Sequence, residues 1–141
     1  MAAKIAAPSK QRPSGGDSPV VRVHIWLEKG KGLSFGLGRM QLLEAIERLG
    51  SLKAAAESLG MSYRAAWGKI KGSEDLLGQP LIEKLGGNRS GYTLTDFGRR
   101  ISECYRIWFR TVELTAVHEA ERLFPFQTRS FGQALSETEQ D

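Results

Sequence analysis

The stretch Gly50-Ser51-Leu52-Lys53-Ala54-Ala55-Ala56-Glu57-Ser58-Leu59-Gly60-Met61-Ser62-Tyr63-Arg64-Ala65-Ala66-Trp67-Gly68-Lys69-Ile70-Lys71 reads as two short helices joined by a tight turn. Ser51 is a good N-cap for the first helix, which should run to about Leu59, because its hydroxyl can accept from an orphan amide. Gly60 suits the turn, since glycine adopts positive φ without strain. Ser62 caps the second helix, which should reach about Leu77 before Gly78 and Pro80 stop it. Ala55, Leu59, Met61, Ala66 and Ile70 fall where the two helices must touch. Small alanines there let the axes approach closely.

Working outward, Gly38–Leu49 carries Met40, Leu43, Ile46 and Leu49 at helical spacing, with Gly50 as its C-terminal stop. Upstream, Val20–Leu27 alternates in the manner of a strand. Lys29-Gly30-Lys31-Gly32 is a turn candidate, and Leu33 and Phe35 begin a return strand. The glycines at 30, 32, 36 and 38 do not spell a dinucleotide fingerprint and connect strand to strand, so they predict no phosphate cradle. Downstream, Leu81–Leu85 and Tyr92–Leu94 flank a loop with Asn88 and Arg89, which predicts a second hairpin. Thr95 then caps a long helix that Pro125 ends. The expected fold is mainly α with small β-hairpins: a winged helix-turn-helix with a long C-terminal helix. The expected domains are a disordered basic arm over 1–18, the winged domain with its long helix over 19–124, and a flexible tail over 125–141.

The chain of 141 residues has a net charge of +4 and a single cysteine. One cysteine forms no internal disulfide, which suits a reducing cytoplasm. No apolar run is long enough to span a bilayer, so no membrane partner is expected. Charge is unevenly spread. Met1–Lys71 holds twelve Lys and Arg against five Asp and Glu, and Gly72–Asp141 holds eight against eleven. The positive half is the half with the two short helices.

In such a unit the second helix is the one presented to the DNA major groove. Ser62–Lys71 carries Arg64, Lys69 and Lys71 and no acid. Ser62 and the amides at its helix start can meet a phosphate. Tyr63, Arg64 and Trp67 share the face opposite Ala66 and Ile70. Arg64 has two roles open to it, bidentate reading of guanine or a phosphate contact. Tyr63 either contacts DNA or is a plain surface residue, and Trp67 either contacts DNA or packs on the preceding helix. Ser51 is expected at the DNA, and Lys53, Lys69 and Lys71 are either phosphate contacts or solvated charges. Asn88 and Arg89, on a glycine-bearing loop, either reach the backbone or minor groove or form a bland surface turn.

These residues resemble known families. Gly50–Leu59 followed by Met61-Ser62 is similar to the helix-turn-helix of LysR-type regulators, and the likeness continues through Ile70, Leu77-Gly78, Pro80-Leu81, Leu94-Thr95 and Gly98. Ser62-Tyr63-Arg64-Ala65-Ala66-Trp67 departs from the Gln-Pro-Ala-Val-Ser run usual there. It resembles the Ser-Tyr-Lys/Arg-x-Ala-Trp recognition helix of ModE-type molybdate-responsive repressors. The resemblance covers roughly Val20–Trp108 and implies a DNA-binding transcriptional repressor. Full-length members of that family carry C-terminal molybdate-binding domains of small β-barrel type. After the wing this chain offers one helix and a short tail, so the expectation is a DNA-binding domain standing alone, with no cofactor and no metal. Molybdate is the one ligand the resemblance raises.

The resemblance also implies that the long helix pairs two subunits. Independently, Phe97, Ile101, Cys104, Tyr105, Trp108 and Val112 make an apolar stripe wider than one wing requires, which either faces a second subunit or packs on its own domain. A homodimer on double-stranded DNA is expected, with two recognition helices about 34 Å apart.

Catalysis is not expected. His24 and His118 lie far apart in sequence, Glu119 and Glu121 diverge on a helix, and Cys104 on the apolar stripe reads as a buried inert thiol. No nucleophile–base pair or metal-ligand spacing is present. Two alternatives stay open: a winged-helix module that binds protein or RNA, and a DNA-binding regulator with an unrelated signal.

Overall fold

Three helices in succession form the centre, and each starts and stops where the sequence punctuates it. A computed structural model describes residues 18–30 and 32–132 of the chain. Helix α1 is Leu37–Leu49, α2 is Leu52–Ser58 and α3 is Tyr63–Leu77. Gly50 ends α1 in the left-handed region at φ 68°, and its amide donates to the Ile46 carbonyl at 2.8 Å. Ser51 Oγ accepts from Ala54 N and Ser62 Oγ from Ala65 N, both at 3.1 Å. Gly60 turns the chain between them at φ 69°. The expected caps and the expected turn are all in place.

The core follows from the apolar faces of these helices. Leu42, Leu43, Ala45 and Ile46 of α1, Leu52, Ala55 and Ala56 of α2, and Ala66 and Ile70 of α3 are almost wholly buried. Phe35, Leu81 and Leu94 close it from the flanking strands. Leu59, expected at the helix contact, and Leu49, expected on the apolar face of α1, are instead exposed. Each sits at the end of its helix, past the last turn that faces the core.

Strands β2 (Trp26–Lys29) and β3 (Leu33–Gly36) pair antiparallel, with Lys29 opposite Leu33. Gly30 and Gly32 have positive φ as a tight turn requires, and Lys31 lies outside the described residues. Strands β4 (Ile82–Lys84) and β5 (Tyr92–Leu94) form the second hairpin, in register Ile82 to Leu94. Three helices followed by this hairpin make a winged helix-turn-helix.

The wing is seated by close backbone approaches. Tyr92 N donates to the Gly50 carbonyl at 3.2 Å, and a Cβ on Gly91 would stand 2.2 Å from that same oxygen. Thr95 N donates to the Leu81 carbonyl at 3.0 Å, and a Cβ on Gly98 would stand 2.2 Å from it. Thr95 Oγ1 accepts from Gly98 N at 2.9 Å, which makes Thr95 the expected cap of helix α4, Asp96–Leu123.

The single strand expected over Val20–Leu27 is two pieces with different partners. Val20–Val21 is β1 and pairs parallel with β6, Arg129–Ser130. Residues 22–25 are not strand, and β2 starts at Trp26. Alternation of apolar residues ran through both pieces and hid the break. Arg129 and Ser130, expected in a flexible tail, are thus in a strand. The basic arm expected over 1–18 lies outside the described residues except for Ser18, which is buried. The chain divides into two compact units. One is His24–Ile107, and the other comprises the described residues of Met1–Val23 and Trp108–Asp141. In the second, Phe124 stacks on Phe126 at 5.3 Å and the Arg22 guanidinium lies 4.0 Å from the Phe131 ring centre.

Candidate nucleic-acid interface

Helix α3 exposes one face because its other face is needed for the core. Ala66 and Ile70 point inward and are buried. Arg64 is exposed on the opposite side, whereas Tyr63, three and seven residues before Ala66 and Ile70, stands on their own face and is half exposed because it lies in the first turn; Trp67 is partly covered. Arg64 sits in the first turn, where the helix start also offers unpaired amides and a positive dipole end. Ser62 is exposed, and its Oγ accepts the capping hydrogen bond, which leaves its hydroxyl proton to donate.

The N-terminal ends of α2 and α3 and the wing border one cleft. Ser51, Leu52, Lys53, Tyr63, Ser90, Gly91 and Tyr92 line it, with a volume of about 260 Å³. Ser51, Lys53 and Tyr63, chosen from sequence, therefore share a site with the wing. Asn88 and Arg89 are exposed on the wing loop. The sequence reading did not include Ser90 or Tyr92 in the site. The only trace of them was their place beside the glycine-bearing loop.

The outer residues of α3 have partners that the sequence did not show. Trp67 does not stand clear, and its ring neighbour is the wing residue Tyr92, at 5.8 Å between centroids. Lys71 Nζ lies 4.6 Å from the Trp67 ring centre and 2.9 Å from Glu74 Oε1. Lys71 thus has an acidic and an aromatic neighbour that the sequence did not show, while its side chain stays half exposed. Glu74 Oε2 accepts from Leu81 N at 2.7 Å, and its side chain is only 10% exposed. Lys69 is partly buried, and its carbonyl accepts from the buried Ser73 hydroxyl at 2.8 Å.

The apolar stripe of α4 is not the one predicted. Tyr105 is buried, meets Phe35 edge-on at 5.7 Å and donates its hydroxyl to the Ile25 carbonyl at 2.9 Å. It belongs to its own unit's core and cannot face a second subunit. Burial also pushes its phenol above the usual tyrosine range. Cys104 is exposed, where a buried thiol was expected. Phe97, Ile101 and Val112 are half-buried, and Trp108 is exposed. Ile107 and Leu114 are exposed apolar residues of the same helix that the reading passed over. Arg99 reaches Glu47 at 3.0 Å and Arg106 reaches Glu44 at 2.7 Å, which ties α4 to α1 by surface ion pairs.

Among the described residues, no group of three His, Cys, Asp or Glu could hold a metal. No helix among them is long and apolar enough to cross a membrane.

Comparison with known proteins bears on residues 37–99, which match the bacterial regulatory helix-turn-helix proteins of the lysR family. The chain is 43% identical over 82 residues to the molybdenum transport protein ModE of Azotobacter vinelandii, covering 57% of this chain and 30% of that protein. It is 32% identical over 77 residues to the transcriptional regulator ModE of Haemophilus influenzae, covering 53% of this chain and 30% of that one. The chain thus spans about a third of the length of these curated relatives. Among solved structures, the CbnR_DBD–DNA complex is similar at a TM-score of 0.46 and 26% identity, covering 60% of this chain and 90% of that chain. Residues 37–99 are therefore similar to the LysR-family helix-turn-helix, and proteins similar to this part of the chain include ModE-type regulators.

Proposed function

We propose that this protein is a sequence-specific DNA-binding transcriptional regulator that acts as a cytoplasmic homodimer, with no catalytic activity. The observation that carries the reading is the exposed part of α3: Arg64 faces outward, opposite the buried Ala66 and Ile70 that fix the helix from behind, and Tyr63 stands half exposed at the helix start. Arg64 reads a base edge. Ser51, Ser62, Lys53, Lys69, Asn88 and Arg89 hold the phosphate backbone. Exposed apolar residues of α4, among them Trp108 and Leu114, support pairing of two copies. Repression by covering a promoter is the simplest mechanism for such a unit. The names of the ModE relatives support molybdenum-related target genes. No molybdate site is assigned to this chain.

The test is fluorescence anisotropy on DNA upstream of the protein's own gene and neighbouring operons, against scrambled DNA, at several salt concentrations and with or without molybdate. A preference of about 10³-fold or more for one palindromic site is expected. Equal and steeply salt-dependent binding to all sequences would reduce the protein to a non-specific binder. No binding near physiological salt would favour a protein- or RNA-interaction module. A molybdate-dependent shift would place an effector site on this chain.

A further inference from the structure

We propose that Trp67 and Tyr92 are positioning residues, whose ring contact sets the width of the cleft between the recognition helix and the wing so that it admits one phosphodiester strand. The proposal rests on the DNA-binding reading above.

A closed chain of contacts carries it. Tyr92 of β5 meets Trp67 of α3 at 5.8 Å, with the ring planes tilted by 52°. Lys71, one turn further along α3, lies 4.6 Å from the Trp67 ring centre. Lys71 pairs with Glu74 at 2.9 Å, and Glu74 accepts the amide of Leu81 at 2.7 Å, just before β4. The wing is therefore held to one helix at both of its strands. On its far side, Tyr92 N is bonded to the carbonyl of Gly50, the residue that ends α1.

The cleft of about 260 Å³ lies at the same place, and Tyr92 is one of its walls. Its lining is asymmetric. Ser51, Lys53 and Tyr63 come from the two helix starts, and Ser90 from the wing. Hydroxyls and one ammonium, with no carboxylate among the lining residues, suit a phosphodiester. A wing that swings outward carries Ser90, and with it the charge of the neighbouring Arg89, away from a strand that Lys53 and Ser51 still hold. Trp67 then acts on DNA through Tyr92, and the base-reading role falls to Arg64.

The variants Trp67→Leu, Tyr92→Leu and the pair together are compared with wild type for affinity on the preferred site and for salt dependence. Each single change is expected to weaken binding about 2- to 10-fold, the range typical of one aromatic pair. The double variant is expected to bind no worse than the weaker single one. Each should lower the salt slope by about one, as for one lost phosphate contact. Tyr92→Phe and Trp67→Phe keep a ring and should restore both values. If Tyr92→Leu unfolds, Tyr92→Thr retains a strand-favouring residue and answers the same question. Additive losses, or a changed preference at one base pair with Trp67→Leu alone, would show that Trp67 reads bases and overturn the proposal. If wild-type protein binds no DNA, the reading above fails first, and the clamp falls with it. If wild type binds and the variants act independently, the clamp alone is wrong.

Discussion

At the scale of single residues, the useful distinction is between side chains that face solvent by necessity and those held by a neighbour. Arg64 belongs to the first kind. Arg64→Ala should cost about 1–3 kcal/mol at one base position if it reads an edge, and weaken all sequences alike if it holds a phosphate. Competition binding on a panel of single-base operator variants separates the two. Tyr105 belongs to the second kind. Its phenol holds its proton more tightly in the folded protein than in the unfolded chain. The stabilisation is therefore complete below the ordinary tyrosine pKa and lost as pH rises through the folded value. Thermal melts should fall on the alkaline side, and Tyr105→Phe should flatten that fall. It should also cost about 1 kcal/mol at neutral pH by removing the bond to Ile25. Ser102 gives an opposite case. It is buried, and its hydroxyl has no partner among the described residues. Ser102→Ala should be neutral or raise the melting temperature. Ser102 and Tyr105 also show why the sequence misled about α4. Large apolar residues suggested a stripe through Phe97, Ile101 and Cys104. The face turned inward instead runs through Gly98, Ser102 and Tyr105, two of them too small or too polar to draw notice.

At the scale of elements, boundaries were legible because capping chemistry is local. Ser51, Ser62 and Thr95 each accept an amide three residues on, and Gly50 and Gly78 end α1 and α3 in the left-handed region. Each bond needs only a hydroxyl or a missing Cβ at the right position. Removing a cap hydroxyl by Ser62→Ala should cost about 1 kcal/mol, measured by denaturant unfolding. The contact of α2 with α3 through Ala55, Ala66 and Ile70 was legible, but the contacts of the wing were not. Nothing in the sequence singles out Glu74, yet it bonds the Leu81 amide across the turn into the wing. Tyr92 gave no sign of meeting Trp67, because nothing in a three-residue strand records which helix it will cross. The seat of the wing was equally silent. A methyl at Gly98 would meet the Leu81 carbonyl, so Gly98→Ala should destabilise the fold by about 1–3 kcal/mol, visible as a lowered unfolding midpoint.

At the scale of the whole molecule, the winged order was readable from element succession alone, whereas the second unit was not. Pairing of Val20 with Arg129 joins segments more than a hundred positions apart, and no local pattern announces such a partner. The dimer proposed above belongs to this scale. Analytical ultracentrifugation should show a two-chain species, and Leu114→Glu should shift it toward the single chain, since a charge on an exposed apolar site disfavours its burial. An unchanged mass would remove α4 from the interface. The β1–β6 pair also sets an order of events during synthesis. All of His24–Ile107 is available to fold before Arg129 and Ser130 have been added. At about 5–20 residues per second, β1 waits on the order of seconds beside the ribosome, made first among the strands and paired last. A nascent chain arrested before Arg129 would carry an open strand at its front, available to chaperones or to the wrong neighbour.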